Sequence, residues 1–348
     1  MKVDKGTVRA PEIGRIWLNS PPLSLRQLRG RVVLVDFWDY TCLNCIRTLP
    51  YVQAWHERYR DKGLTVIGVH TPEFTFAQYE SNVERGIREF GLTYPIVIDS
   101  DYELWKAFAN RCWPTKYLLD GEGYLRWAHF GEGAYLDCEQ NIQELLREIN
   151  PALALPDPMP ALREEDKSGA VCYAASPELY LGHKRGRIGN SSGFREDQIA
   201  DYDFNGTQLE EGYYYASGRW ASTVEYFEAV GEGEHRLVLK YSASAVNLVM
   251  ASPRGPACEV LIRQDGKPLT SAQATADTRF RISNSNNKDE SLVEVSSARM
   301  YALVNNHDFG EHTLELICPA GLAAFAFTFS SCVDPERSSL SAGTSVAS

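Results

Sequence analysis

The sequence predicts an α/β domain followed by an all-β sandwich of jelly-roll type. Three observations carry this. Apolar runs that suit buried strands alternate with helix-spaced apolar residues as far as Ile149. The closely spaced Pro151, Pro156, Pro158 and Pro160 then break the pattern. Beyond them short segments alternate apolar with polar residues and show no long helical period.

Taken in order, Val32 to Trp38 reads as a buried strand. A helix follows to a stop at Gly63, with Ile46, Leu49, Val52, His56 and Tyr59 on one face and Pro50 expected to kink it. Leu64 to Val69 is a second strand. Phe76, Tyr79, Val83, Ile87 and Phe90 mark a helix that ends at Gly91. Tyr94 to Ile98 is a short strand, and Leu104, Trp105 and Phe108 lie on a short helix. Lys116 to Leu119 and Tyr124 to Trp127 flank Asp120-Gly121-Glu122-Gly123, a hairpin signal. Tyr135 to Ile149 closes the domain as a helix. This alternation predicts a central sheet covered on both faces, with the last hairpin antiparallel.

Domain one is therefore expected over 1–150, a proline-stiffened linker over 151–169, the sandwich over 170–333 and a disordered tail over 334–348. In the sandwich, Leu237, Leu239 and Tyr241 alternate with polar neighbours, as do Val260 and Ile262, and Phe325, Phe327 and Phe329. Tyr213, Tyr214, Tyr215, Trp220, Tyr226 and Phe227 are expected mainly in its core, with any exposed subset free to stack on sugar rings or a partner.

A length of 348 residues suits two domains with separate cores. The formal net charge of −11 argues against nucleic acid and anionic membrane surfaces. No apolar run approaches a bilayer span, and no apolar stretch follows the basic residues of Met1 to Ile16. The expected location is cytoplasmic.

Chemistry concentrates at Cys42-Leu43-Asn44-Cys45, after the first strand and at the start of a helix. Residues three apart share a helix face, so the two sulfurs can meet. The first sulfur would sit beside unpaired backbone N–H groups at the positive end of the helix, which favours a thiolate. The same spacing could be half of a zinc site, but the other six cysteines form no second close pair. We expect a redox pair, no metal and no cofactor. Cys112, Cys138, Cys172, Cys258, Cys318 and Cys332 are expected as free thiols, Cys112 as a bystander. Asp36 interrupts an apolar strand, where burial would raise its pKa.

These residues resemble the thioredoxin superfamily. Val35 to Trp38, the cysteine pair, Pro50 and the loop Arg111-Cys112-Trp113-Pro114-Thr115 look like its core and its substrate-contacting loop. The helix and strand before that loop resemble the insertion of the TlpA-like branch. More closely, Phe37 to Pro50, Gly68 to Phe74 and Trp113-Pro114 are similar to DipZ-like proteins. Pro177 to Gly182, Gly218-Arg219-Trp220 and Val246 to Val249 look like that family's following β-sandwich, which resembles carbohydrate-binding modules. DipZ-like proteins also carry a membrane-embedded electron carrier and act outside the cytoplasm. Neither that carrier nor an export signal is read here, so the cell envelope or periplasm is kept as the alternative location.

The resemblance implies a thioredoxin-like thiol–disulfide oxidoreductase. Cys42 would attack a substrate disulfide and Cys45 would release the mixed disulfide, with Asp36 taking the Cys45 proton. Pro114 would be cis, and Trp113, Pro114, Trp38 and Tyr40 would contact substrate. His70 and Glu73, at the end of the second strand, are candidates for tuning the thiols. The partners expected are a protein or small-molecule disulfide, an electron donor, and a glycan or protein on the sandwich. Two rivals are a thiol peroxidase, disfavoured because Asp39 stands where peroxiredoxins keep Thr, and a binding protein with a vestigial cysteine pair.

Overall fold

The computed structural model describes residues 1–14, 16–206, 208–252, 255–282 and 289–333. The chain divides into two compact units, Met1–Asp166 and Lys167–Ser348. The predicted tail over 334–348 lies outside the described residues.

In the first unit the elements run β1 (Ile16–Leu18), β2 (Val32–Trp38), α1 (Leu43–Tyr59), β3 (Leu64–His70), α2 (Glu80–Glu89), β4 (Ile96–Ile98), α3 (Glu103–Ala107), β5 (Thr115–Leu119), β6 (Leu125–Phe130) and α4 (Tyr135–Ile149). They build one six-stranded sheet in the order β1-β4-β3-β2-β5-β6. β2, β3 and β4 are parallel; β5 and β6 run antiparallel to β2 and to each other, and β1 lies antiparallel to β4. All seven residues of β2 are buried, as a central strand covered on both faces requires. Strand alternation sends Val32, Leu34 and Trp38 into a core with Val52 and Trp55 of α1 and Ile142 and Leu146 of α4. Val33, Val35 and Phe37 enter the opposite core with Leu104, Tyr117 and Leu119.

Three details differ from the sequence reading. The edge strand β1 was not anticipated; three residues carry too short a pattern. Helix α1 runs unbroken through Pro50, which lies on its exposed side. The proline-rich stretch falls largely within the first unit. Leu153, Leu155 and Met159 pack on its core, Pro156 O accepts from Gln143 at 2.8 Å, and Leu162 N donates to Tyr51 Oη at 2.7 Å.

The second unit is built of strands: β7 (Val171–Cys172), β8 (Leu179–Tyr180), β9 (Ile199–Tyr202), β10 (Tyr214–Ser222), β11 (Phe227–Ala229), β12 (His235–Ala251), β13 (Cys258–Gln264), β14 (Lys267–Pro268), β15 (Thr278–Ile282), β16 (Asp289–Val295), β17 (Arg299–Cys318), β18 (Ala323–Ser330) and β19 (Cys332–Val333). β12 pairs with β17 along its length, with β10 over its first half and with β18 over its second. Register shifts near Ala243 and Val249 let one long strand change partners, the device by which sandwich sheets turn corners. Tyr214, Trp220 and Phe227 are fully buried and Tyr215 nearly so, leaving Tyr213 and Tyr226 half-buried.

One expectation is corrected here. Cys172 and Cys332 are not free thiols but a disulfide joining β7 to β19. They are 160 residues apart, so no local pattern announces the pairing.

Candidate functional site

Cys42 is the N-cap of α1, with extended φ/ψ of −82° and 115°. Its Sγ accepts a hydrogen bond from Cys45 N at 3.2 Å, and its carbonyl accepts from Ile46 N at 3.0 Å. The chain therefore enters the helix with the first sulfur over the unpaired N–H end. Cys42 is partly exposed and Cys45 fully buried. Both are free thiols in this structure. The first cysteine is thus the more exposed of the two.

The electrostatics modify the expected thiolate. Burial pushes the Cys42 thiol up; the hydrogen bond with the Cys45 side chain pulls it down, and the carboxylates of Glu73 and Asp39 push it up further. The positive helix end works against that rise. Burial, then the hydrogen bond to Cys42, push Cys45 well above the usual thiol range. Cys45 therefore needs a proton acceptor before it can attack.

Asp39 organises the loop between β2 and α1. Its buried carboxylate accepts from Thr41 N at 2.6 Å, Thr41 Oγ1 at 2.5 Å and Glu73 N at 2.8 Å. It thereby ties the cysteine loop to the loop after β3. Burial raises its pKa and these bonds oppose the rise. His70 Nε2 lies 3.8 Å from Asp39 Oδ2, with its ring stacked on Tyr40 and edge-on to Trp38. Burial drives the His70 pKa down to about 3, so it is a neutral imidazole. Glu73 is half-exposed and acts electrostatically on Cys42; His70 is sealed below Asp39.

Asp36 lies in mid-β2, on the core face it shares with α1 and α4. It is fully buried and neither carboxylate oxygen has a hydrogen-bond partner among the described residues. Burial raises its pKa to about 7, with Lys116 pulling it down. Its β3 partner is Gly68, where a Cβ would stand 2.9 Å from the Tyr94 ring and 3.0 Å from the Trp38 indole nitrogen. A side chain there would displace the walls of the Asp36 niche.

The Trp113–Pro114 peptide is cis. Trp113 is half-buried, its Nε1 donates to Thr71 O at 2.9 Å, and its ring lies 4.3 Å from that of Trp105. The cis-proline loop is thus fastened to the loop that carries Glu73. Two expected substrate contacts are corrected. Trp38 is fully buried and Tyr40 is 3% exposed, so both support the site from beneath and neither presents a surface to substrate. Cys112 is half-buried, with its Sγ 3.6 Å from Thr115 Oγ1. Among the described residues no cluster of three His, Cys, Asp or Glu side chains could hold a metal.

Two residues escaped the sequence reading. Asp39 was noticed as a missing Thr and not as a hub. Lys116 is the other: a charge at the head of a strand-like run that the fold buries is a usable signal, although its register opposite Asp36 is not written locally.

The family model described as AhpC/TSA family matches residues 9–128, and that described as Thioredoxin like C-terminal domain matches residues 176–330. Protein DipZ of Mycobacterium bovis is 34% identical over 328 residues, covering 92% of this chain and 42% of DipZ. The chain thus spans less than half the length of the DipZ proteins it matches. Thiol-disulfide oxidoreductase ResA of Halalkalibacterium halodurans is 30% identical over 134 residues, covering 38% of this chain and 71% of ResA. Among solved structures, a thiol-disulfide isomerase from Corynebacterium glutamicum is 26% identical, covering 39% of this chain and 96% of that one, with a TM-score of 0.37. No helix among the described residues is long and apolar enough to cross a membrane.

Proposed function

Since this chain belongs to the DipZ/TlpA-like branch of the thioredoxin superfamily, we propose that it is a thiol–disulfide oxidoreductase working through Cys42 and Cys45. The observation that carries the reading is the partly exposed Cys42 at the head of α1, with the buried Cys45 donating its N–H to the Cys42 sulfur. Cys42 loses its proton to solvent and attacks one sulfur of the substrate disulfide. That bond breaks, the other substrate sulfur leaves as a thiolate, and a mixed disulfide forms. Asp36 accepts the Cys45 proton. Cys45 then attacks Cys42 Sγ, the substrate leaves reduced, and the enzyme is left with a Cys42–Cys45 disulfide. An electron donor returns it to the dithiol; in the opposite direction the same steps oxidise a dithiol.

The backbone of Trp113 beside the cis peptide suits an extended substrate segment laid across the site. Glu73 and Asp39 act on Cys42 as negative charges. The AhpC/TSA match keeps a peroxidase as the second reading. Against it, the Asp39 carboxylate is already engaged by Thr41 and Glu73, which leaves no hydroxyl donor at that place for a peroxide.

We assign recognition to the β-unit, where Tyr213 and Tyr226 keep partly open aromatic surface for a protein or sugar. The Cys172–Cys332 disulfide supports an oxidising compartment such as the cell envelope over the cytoplasm.

The test is disulfide turnover and trapping. Cys42→Ser abolishes reduction of a disulfide substrate, and Cys45→Ser accumulates mixed disulfides on Cys42 that mass spectrometry identifies. Retained turnover in Cys42→Ser refutes the reading, and peroxide consumption matching disulfide reduction replaces it with the peroxidase.

A further inference from the structure

Glu132 stands in the short loop between β6 and α4, and three parts of the first unit meet there. Gly131 N donates to Pro114 O at 2.8 Å, which bonds the loop to the cis-proline. Arg47, two residues past Cys45 on α1, brings its Nη1 to 3.5 Å from Glu132 Oε2. Arg163, near the end of the proline-rich stretch, donates from Nη1 to Glu132 Oε1 at 2.8 Å. One carboxylate and the loop that carries it thus join the cysteine helix, the cis-proline loop and the strap formed by residues 151–166.

This loop needs outside support. Gly133 and Ala134 have φ of 92° and 51°, and Ala134 carries a Cβ into the left-handed region, where surrounding contacts must impose the shape. The strap supplies such contacts at two points. Arg163 holds Glu132. Leu162 N also donates to Tyr51 Oη at 2.7 Å, and Tyr51 Oη donates to Asp166 Oδ2 at 2.8 Å. The Tyr51 ring then stacks at 3.7 Å on Tyr135, the residue after Ala134. The side chains of Arg47, Glu132 and Arg163 are 22%, 23% and 19% exposed, so their pairing is screened less than a pairing in open solvent.

A small disulfide needs only the sulfur of Cys42. A disulfide within a polypeptide must also lay its backbone along Trp113 and Pro114, whose placement depends on the loop bonded to Pro114 O. We propose that Arg163 is a positioning residue for extended substrates: by holding Glu132 it fixes the loop beside the cis-proline, and so sets the preference of Cys42 for a disulfide carried on polypeptide over a small one. The proposal rests on Cys42 being the attacking sulfur and on a segment lying across Trp113. Arg163 touches neither substrate nor the sulfurs; it acts through Glu132.

The experiment uses the full chain, reduced beforehand, in single turnover. Two substrates carry the same leaving group: an unstructured peptide whose single cysteine is disulfide-linked to thionitrobenzoate, and mercaptoethanol linked in the same way. Cys42 attacks the peptide or mercaptoethanol sulfur, the disulfide breaks, and thionitrobenzoate leaves as the coloured thiolate. Arg163→Met raises the half-saturating concentration of the peptide by roughly tenfold, about 1.4 kcal/mol, near the low end for one hydrogen bond to a charged group. The limiting rate moves less, and the peptide-to-small ratio of rate over half-saturation falls by the same factor. Glu132→Gln lowers the ratio alike, and the double variant lowers it no further, since both act through one contact. Arg163→Lys restores most of the ratio, because a single donor makes that contact. Glu132→Gln carries the test should Arg163→Met fail to fold.

An unchanged ratio in Arg163→Met and Glu132→Gln overturns the proposal, and so do equal losses on both substrates, the mark of a merely structural role. Thionitrobenzoate release at the wild-type rate in Cys42→Ser overturns the underlying reading instead.

Discussion

Replacing Asp36 by Asn should change how the stability of the first unit depends on pH. Unfolded, Asp36 ionises at its ordinary 3.8; folded, burial holds its proton to about 7. Between those values the folded state binds more protons than the unfolded state, so stability is lost as pH rises through the window. A shift of about three units at about 1.4 kcal/mol each gives an upper bound of about 4 kcal/mol. His70 works the other way. Its folded pKa falls from 6.5 to about 3, so the unfolded chain takes up a proton that the native state refuses, and stability rises with pH over that window. The two windows overlap and their slopes largely cancel in the wild type. Asp36→Asn removes one of them. The stability difference between variant and wild type should grow in favour of the variant by up to about 4 kcal/mol between about pH 4 and pH 8. Urea unfolding at each pH, followed by tryptophan fluorescence, reads this. Trp17, Trp38, Trp55, Trp105, Trp113 and Trp127 lie in the first unit and Trp220 in the second, so the signal reports the right unit. A difference constant to within about 0.5 kcal/mol over the range would refute the reasoning.

Glu73→Gln removes a carboxylate that pushes the Cys42 thiol up, so the pH midpoint of Cys42 alkylation should fall by a few tenths of a unit to about 1 unit; an unmoved midpoint means Glu73 has no hold on the sulfur. Replacing both Cys172 and Cys332 by Ser should lower the stability of the β-unit by about 2–5 kcal/mol, read through Trp220, and leave the first unit's transition in place. An unchanged β-unit under oxidising conditions shows that the bridge does not form in solution.

The alternating elements of the first half, the position of Cys42 at a helix start and the strand-rich second half follow from short-range patterns. A helix face, a strand face and a cap are each written within a few residues, so Val32 to Trp38 and the cysteine pair could be placed from the chain alone. Asp36 could be suspected for the same reason, as a charge inside an apolar run.

Register and depth are decided by the packed structure. Lys116 meets Asp36 because β5 returns antiparallel to β2 in one particular alignment, 80 residues along the chain. Cys172 meets Cys332 because the two ends of the β-unit pair as strands. Trp38 and Tyr40 stand close to the cysteines in sequence, yet the core and the loop after β3 cover them, and the reactive surface is left to Cys42, Glu73 and Trp113. Local sequence sets which backbone shapes are cheap; which side chains end up buried together depends on contacts between distant segments that form only when the sheet assembles.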